Sequence, residues 1–151
     1  MVGTSEMRAL GPAAKPSNGI FADLGLPLRG QPLIDAVKAG LPRAHFKQIA
    51  VLMGVSPLRL GQCLGISNST FYRRLKRGRF SVEESDRVVR AAIVFEKVVE
   101  LFENDRSLAR CWIQTSQKGL NGQAPAQCLQ TGVECQTVED LIGRLEMGVF
   151  S

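Results

Sequence analysis

The feature of this sequence that most constrains its fold is the regular interruption of helical segments by glycine, proline and cap residues after residue 31. Between these breaks, apolar side chains recur at the three- and four-residue spacing of an amphipathic helix, and no alternating run is long enough for a sheet. Short helices of this kind are stable only when they pack against one another. The sequence therefore predicts an all-α fold.

Cap and stop residues set the expected helix boundaries. Ser81 and Glu84 have the spacing of a capping box, which marks the start of a long apolar helix that reaches Asn104. Thr137 precedes acidic residues and an apolar stripe, so it is the predicted cap of the last helix. The predicted helical segments are 32–39, 43–53, 56–65, 67–77, 81–104, 107–114, 125–130 and 137–147.

The densest signal lies between Leu60 and Leu75, where two of the short helices meet at a glycine. A helix-turn-helix needs a residue in its turn that accepts a positive φ angle, and Gly65 meets this need. Small and apolar residues flank it at the spacing that such a unit buries. They are Leu60, Gly61, Leu64, Ile66, Phe71 and Leu75. These residues predict a helix-turn-helix.

The second helix of this unit has a polar and cationic face. With Phe71 and Leu75 turned to the core, the helical step of about 100° per residue places Ser69, Arg73 and Arg77 on the opposite side. A recognition helix reads base edges in the major groove with such side chains, while nearby cations hold phosphates. The predicted base-reading residues are Asn68, Ser69 and Arg73, with Thr70 and Tyr72 on the flank, and the predicted phosphate-binding residues are Lys76, Arg77, Arg79 and Arg59.

Charge is divided unevenly along the chain. Residues 1–79 hold 12 basic and 3 acidic side chains, a net charge of +9, whereas residues 80–151 hold 7 basic and 11 acidic side chains, a net charge of −4. A basic segment beside an acidic one is typical of a nucleic-acid module joined to a protein-binding module. The alternative is that the basic run at 73–77 is a solvated helical face. Because the turn, caps, apolar positions and basic face all agree, DNA binding is favoured. Arg74 lies at the edge of the apolar face and is expected to extend outward into solvent.

These patterns divide the chain into three parts. Residues 1–31 are rich in glycine and proline and are expected to form a flexible arm. The apolar residues placed to dock this arm are Ile20, Phe21, Leu24 and Leu26. Residues 32–80 form the predicted DNA-binding domain, and residues 81–151 form a second helical domain.

No catalytic, metal or membrane site is expected. The one histidine, His45, lies far from the four cysteines, which contain no C-x-x-C pair and are expected to be small buried hydrophobes. The acidic half has no histidine, so we expect neither enzymatic activity nor a cofactor. No segment has the roughly 18 consecutive apolar residues of a membrane span. We therefore expect no membrane partner and a cytoplasmic location.

Two features of the acidic half admit two interpretations each. Trp112 is expected to anchor the core, with a ligand platform as the less favoured alternative. The closing segment, Met147 to Ser151, is apolar and uncharged. That composition is equally consistent with packing against the protein and with insertion into a partner.

A series of short motifs runs through residues 32–151 in a fixed order. They are Leu64-Gly65-Ile66-Ser67, Thr70-Phe71-Tyr72-Arg73-Arg74-Leu75, Glu84-Ser85-Asp86-Arg87, Trp112-Ile113 followed by Leu120, Gly122, Pro125 and Leu129, and a closing segment from Val138 to Glu146 with Gly148-Val149-Phe150-Ser151. In this order the motifs resemble the Xre-type antitoxins of the RES-Xre toxin–antitoxin family, which includes the MbcA and ParS proteins.

The resemblance implies an α-helical protein with a Cro-like DNA-binding region and a C-terminal toxin-binding domain. Such a protein neutralises an NAD-degrading RES-domain toxin with its C-terminal segment, which enters the toxin active site, and it represses its own operon by binding double-stranded operator DNA. The toxin-binding residues that the resemblance implies are Trp112, Leu141, Arg144, Leu145, Glu146, Gly148, Val149, Phe150 and Ser151. A symmetric operator requires two helix-turn-helix units, which either a homo-oligomer or a toxin-bridged complex supplies.

Two other interpretations remain open on the sequence alone. A stand-alone helix-turn-helix regulator would use its acidic domain to bind a ligand or another protein. A cysteine-dependent enzyme or redox sensor would require a thiol of lowered pKa.

Overall fold

In the computed structural model of the chain, residues 19–27 and 29–148 are described. The α-helices in this part are α1 (Ile20–Leu24), α2 (Gly30–Ala39), α3 (Arg43–Met53), α4 (Pro57–Cys63), α5 (Asn68–Arg77), α6 (Val82–Leu101), α7 (Arg106–Ile113) and α8 (Gly132–Glu146). Two 3-10 helices, Lys118–Leu120 and Pro125–Gln127, lie between α7 and α8. No strand occurs within these residues, and one isolated bridge joins Pro42 to Arg79. The predicted all-α fold is confirmed.

Side-chain caps explain where the central helices begin. The Ser67 hydroxyl accepts the Thr70 backbone N–H at 3.2 Å and so starts α5. At the start of α6, Ser81 accepts the Glu84 backbone N–H at 3.1 Å, and the Glu84 carboxylate accepts the Ser81 N–H at 2.8 Å. The predicted capping box is therefore present, and each side chain satisfies a backbone donor that the helix leaves free.

The predicted cap of the last helix is wrong. α8 begins at Gly132, and Thr131 is its cap, with Glu134 completing a capping box. Thr137 lies inside the helix, where its hydroxyl donates to the Val133 carbonyl at 2.9 Å. The threonine and glutamate three residues apart stabilise the earlier start, because together they satisfy two backbone donors that would otherwise have no partner.

The predicted flexible arm is also wrong in part, because residues 19–27 are docked. Phe21, Leu24 and Leu26 are buried, and α1 packs on α3. An ion pair of 2.6 Å between Asp23 and Arg106 ties α1 to α7. Phe21, Leu24 and Leu26 therefore dock as predicted, while the side chain of Ile20 lies outside the described part of the chain. α2 begins inside the predicted arm, at Gly30. The rest of the arm, residues 1–18 and 28, lies outside the described part of the chain.

Three aromatic rings hold α5 against the body of the protein. Phe46 of α3 stacks on Phe80 with ring centroids 4.3 Å apart, and Phe71 of α5 lies 5.7 Å from Phe46. All three side chains are buried. Because the rings come from α3, α5 and the segment before α6, they fix the relative positions of these elements.

The predicted outward extension of Arg74 is wrong, because its guanidinium folds onto Glu84. Nε lies 2.8 Å from Oε1 and Nη2 lies 3.3 Å from Oε2, a two-point contact between side chains that are only 16% and 11% exposed. Burial alone would raise the pKa of the Glu84 carboxyl, but hydrogen bonds from Arg74 and Ser81 and the charge of Arg74 hold that pKa below its ordinary value. The pair joins α5 to α6.

We predict that Glu84→Gln lowers the free energy of unfolding by about 1–3 kcal/mol at pH 7, since it leaves Arg74 half-buried without its counter-ion. The folded-state pKa of Glu84 lies below the unfolded value of about 4.3, so the carboxylate's contribution is present above that pH and is lost as the pH falls through the folded pKa. Urea unfolding of wild type and variant should therefore give a difference that is largest at neutral pH and shrinks in acid.

Glu83→Gln is the matched control, because Glu83 is exposed on the first turn of the same helix. It should change the free energy of unfolding little, both at pH 7 and at about pH 3. An equal loss for Glu84→Gln at pH 7 and at about pH 3 would show that the ionised pair does not stabilise the fold.

Candidate functional sites

The helix-turn-helix is formed by α4, α5 and the turn between them. Gly65 has φ = 77°, the left-handed conformation that the sequence predicts for the turn. Gly61 packs so closely on Phe71 that a Cβ at that position would lie 3.3 Å from its ring. The residues predicted to pin the two helices are buried, except that Leu75 is half-buried: Leu60, Gly61, Leu64, Ile66 and Phe71.

The predicted DNA-binding face of α5 is open to solvent. Its buried side is occupied by Phe71, whereas Tyr72 is 57% exposed beside it. Thr70 is half-buried, and the remaining predicted residues of this helix are exposed: Asn68, Ser69, Arg73, Lys76 and Arg77. The cationic side chains therefore lie on the surface opposite the core, where a nucleic-acid backbone can reach them.

Polar contacts organise the first turn of α5. The Ser67 hydroxyl donates to Thr70 Oγ1 at 3.0 Å, and Arg73 Nη2 lies 3.5 Å from the same oxygen. Gln62 Nε2 of α4 donates to Asn68 Oδ1 at 3.3 Å. These contacts tie the Asn68 side chain to α4 and place the Arg73 guanidinium beside Thr70. Sequence reasoning missed Gln62, although its polar side chain two residues before the turn was a usable signal.

Arginines at the far end of α5 also support the fold. Arg79, predicted to bind phosphate, is exposed, but its Nη1 donates to the Gly40 carbonyl at 2.6 Å. Arg43 of α3 donates from Nη1 to the Leu75 carbonyl at 2.8 Å and so satisfies an acceptor near the end of α5. Arg59, the remaining predicted phosphate ligand, lies exposed on α4. Sequence reasoning missed Arg43, whose position beside α5 depends on tertiary packing.

α6 and the segment before α8 cover the turn of the helix-turn-helix. Arg87 Nη1 of α6 donates to the Leu64 carbonyl at 3.3 Å. The Gln130 side chain lies against Gly65, so close that a Cβ on the glycine would be 2.6 Å from Gln130 Cδ. The positive φ angle favours glycine at position 65, and any larger residue there would also displace the exposed Gln130 side chain.

Trp112 and Leu141 both pack against the hydrophobic core in the C-terminal part of the chain. Trp112 is half-buried, and its ring centroid lies 6.3 Å from that of Phe102. This position fits the predicted core anchor. Leu141 is only 4% exposed and packs in the hydrophobic core. It therefore supports the fold and is not a surface contact for the toxin, contrary to what the resemblance implies.

The end of α8 presents a different surface. Arg144 and Leu145 are half-buried, Glu146 is exposed, and Met147 is 81% exposed. Gly148 follows with φ = 76°. The other residues that the resemblance assigns to toxin binding, Val149, Phe150 and Ser151, lie outside the described part of the chain.

Three of the four cysteines do not have the environment of reactive thiols. Burial raises the pKa of Cys63, Cys128 and Cys135, which works against thiolate formation at these three residues. Cys128 and Cys135 are buried as expected, whereas Cys63 is only half-buried and Cys111 is exposed. Within residues 19–27 and 29–148, no group of three His, Cys, Asp or Glu side chains is arranged to hold a metal ion. No helix in the same ranges combines the length and apolar character needed to cross a membrane.

Comparison with known proteins identifies both the helix-turn-helix region and the C-terminal region. The family model of the antitoxin Xre-like helix-turn-helix domain matches residues 32–92, and that of the antitoxin Xre/MbcA/ParS C-terminal toxin-binding domain matches residues 97–148. A protein of Yersinia enterocolitica named antitoxin Xre is 37% identical over 148 residues, which cover 96% of this chain and 100% of the relative. A protein of the same name from Photorhabdus laumondii is 30% identical with the same coverage. The chain belongs to the Xre antitoxin family.

Proposed function

We propose that this antitoxin neutralises an NAD-degrading RES-domain toxin in the cytoplasm and represses its own operon by binding operator DNA. The proposal rests on one observation. α6 joins a region with an exposed cationic helix to a region that matches a toxin-binding domain. Both activities are binding events. The chain therefore needs neither a catalytic group nor a cofactor of its own.

The geometry of α5 supports the DNA-binding part of the proposal. Asn68 and Ser69 lie in the first turn of the helix, the position from which recognition helices reach base edges. Arg73 follows one turn later, and an arginine there can make two hydrogen bonds to a guanine. Lys76 and Arg77 lie at the opposite end, where contacts to phosphates set affinity and register.

We predict that Arg73→Ala weakens binding to the preferred operator by roughly 1–3 kcal/mol and relaxes base preference at one position. Lys76→Ala should instead weaken binding to all sequences about equally and lower the slope of log K against log salt by about one. Fluorescence anisotropy on operator and scrambled DNA at several salt concentrations measures both effects.

Lys118→Ala is the control, since this exposed lysine lies in the C-terminal unit. It should leave both affinities unchanged. If Arg73→Ala weakened operator and scrambled DNA equally, Arg73 would be a phosphate contact and not a base contact.

The end of α8 supports the toxin-binding part. The apolar face of α8 is anchored on α6 by Val138, Leu141 and Ile142, which are buried. The helix thus provides a fixed base, and its last residue, Glu146, and the Met147 that follows it are exposed. On this proposal, the segment 144–151 enters the toxin active site and keeps NAD from binding there.

We predict that deletion of residues 148–151 abolishes growth protection against a co-expressed RES-domain toxin and leaves the operator affinity within about twofold of wild type, because the segment lies far along the chain from α5. Arg73→Ala is the reciprocal control: it should weaken operator binding and keep protection. Colony counts after toxin induction and anisotropy measure the two activities separately.

Protection by the truncated chain would contradict insertion of the tail. A full-length chain that binds operator but neither binds nor neutralises any RES-domain protein would contradict the toxin assignment and fit a stand-alone regulator.

A further inference from the structure

α8 has an outer face, turned away from the core, that the described part of the chain leaves open. The residues on its inner face are buried: Cys135, Val138, Leu141 and Ile142. The helical step of about 100° per residue places another set on the opposite side, namely Gln136, Asp140, Gly143 and Met147. Of this outer face, Gly143 is half-buried and the other three residues are exposed.

Gly143 is the member of the outer face that the fold does not explain. Glycine is less favourable than alanine inside a helix, so it usually serves a special φ angle or a close contact. Gly143 is not among the glycines with positive φ. A Cβ at this position would have no described atom within 4 Å, apart from its own chain neighbours and the adjacent turns of α8. Neither the φ angle nor internal packing therefore requires a glycine here.

The other glycines without positive φ in the described helices have a reason in the packing. A Cβ on Gly61 would lie 3.3 Å from the ring of Phe71, and a Cβ on Gly132 would lie 2.8 Å from Nη1 of Arg90. Gly143 differs from both because the space above it is empty. A helix surface without a side chain lets another molecule bring its backbone unusually close.

The position of Gly143 indicates which molecule does so. It lies within residues 97–148, which match the toxin-binding domain, and one turn before Met147, which is 81% exposed. The segment proposed to enter the toxin active site leaves α8 at this point, and its residues 148–151 extend at most about 14 Å. A toxin reached by so short a segment must lie against the end of α8.

We infer that the toxin packs a main-chain segment directly on Gly143, which makes the outer face of α8 a toxin contact separate from the inserted tail. The inference rests on the proposed neutralisation of a RES-domain toxin and adds a contact surface to it. Such a contact fixes the orientation of the toxin on α8 and so the direction in which the tail leaves the helix.

Adding a side chain at Gly143 of the full-length chain tests the contact, because stability and binding should change in opposite directions. Gly143→Ala should raise the melting temperature of the free protein by about 1–4 °C, since alanine favours the helix. It should raise the dissociation constant for a RES-domain toxin about tenfold, because the methyl group displaces the toxin backbone. Gly143→Leu should raise that constant about a hundredfold. Scanning and titration calorimetry measure the two quantities.

Gln48→Ala is the matched control, since it introduces alanine at an exposed position of α3, in the DNA-binding half. It should not lower the melting temperature, and it should leave the toxin dissociation constant within about twofold of wild type. Both Gly143 variants should bind operator DNA within about twofold of wild type, which reports that the helix-turn-helix is intact.

Two results would overturn the inference. One is unchanged toxin affinity in both Gly143 variants. The other is a lower melting temperature for Gly143→Ala, because the glycine would then serve the packing of this chain itself. Wild type separates the two proposals: if it binds no RES-domain toxin, the proposed neutralisation fails together with this contact, whereas tight binding by wild type and both variants contradicts only the contact at Gly143.

Discussion

The burial of α6 along most of its length is the constraint on which the rest of the structure depends. Ten of its twenty residues are buried, and α2, α3, α7 and α8 all pack against it. Each fully buried valine or phenylalanine contributes about 1.5–3 kcal/mol relative to an exposed one. The two family models meet inside this helix, the first ending at residue 92 and the second beginning at residue 97. α6 is thus a shared core element of both units.

A consequence of this arrangement is that residues of α6 and of the segment before α8 hold the helix-turn-helix in place. Glu84 fixes α5 through Arg74, and Arg87 and Gln130 contact the turn at Leu64 and Gly65. The cationic face of α5 is left free by these contacts, because they fall on its inner side and on the turn. The surface proposed for DNA therefore lies on α5, and the one proposed for the toxin begins at the end of a different helix, α8, which packs on α6.

Local sequence signals predicted much of this structure, and the remainder depends on tertiary packing. The caps at Ser67 and Ser81 and the positive φ at Gly65 depend on neighbouring residues, so the sequence alone was sufficient. Arg74 was misplaced because its partner, Glu84, is ten residues away on another helix. For the same reason the docking of residues 19–27 and the burial of Leu141 depended on packing surfaces that helical spacing does not specify. The Thr131–Glu134 capping box was a local signal for the start of α8, but the apolar pattern after Thr137 predicted a later start.

The most direct measurement of the central claim, that one chain binds DNA and toxin through separate surfaces, is amide hydrogen exchange of the full-length protein with each partner. A RES-domain toxin should slow exchange in residues 144–151 and leave residues 68–77 unchanged, because these segments belong to different surfaces. An operator fragment should do the reverse. Slower exchange in residues 68–77 on toxin binding, with none at the end of α8, would contradict the assignment of the two surfaces.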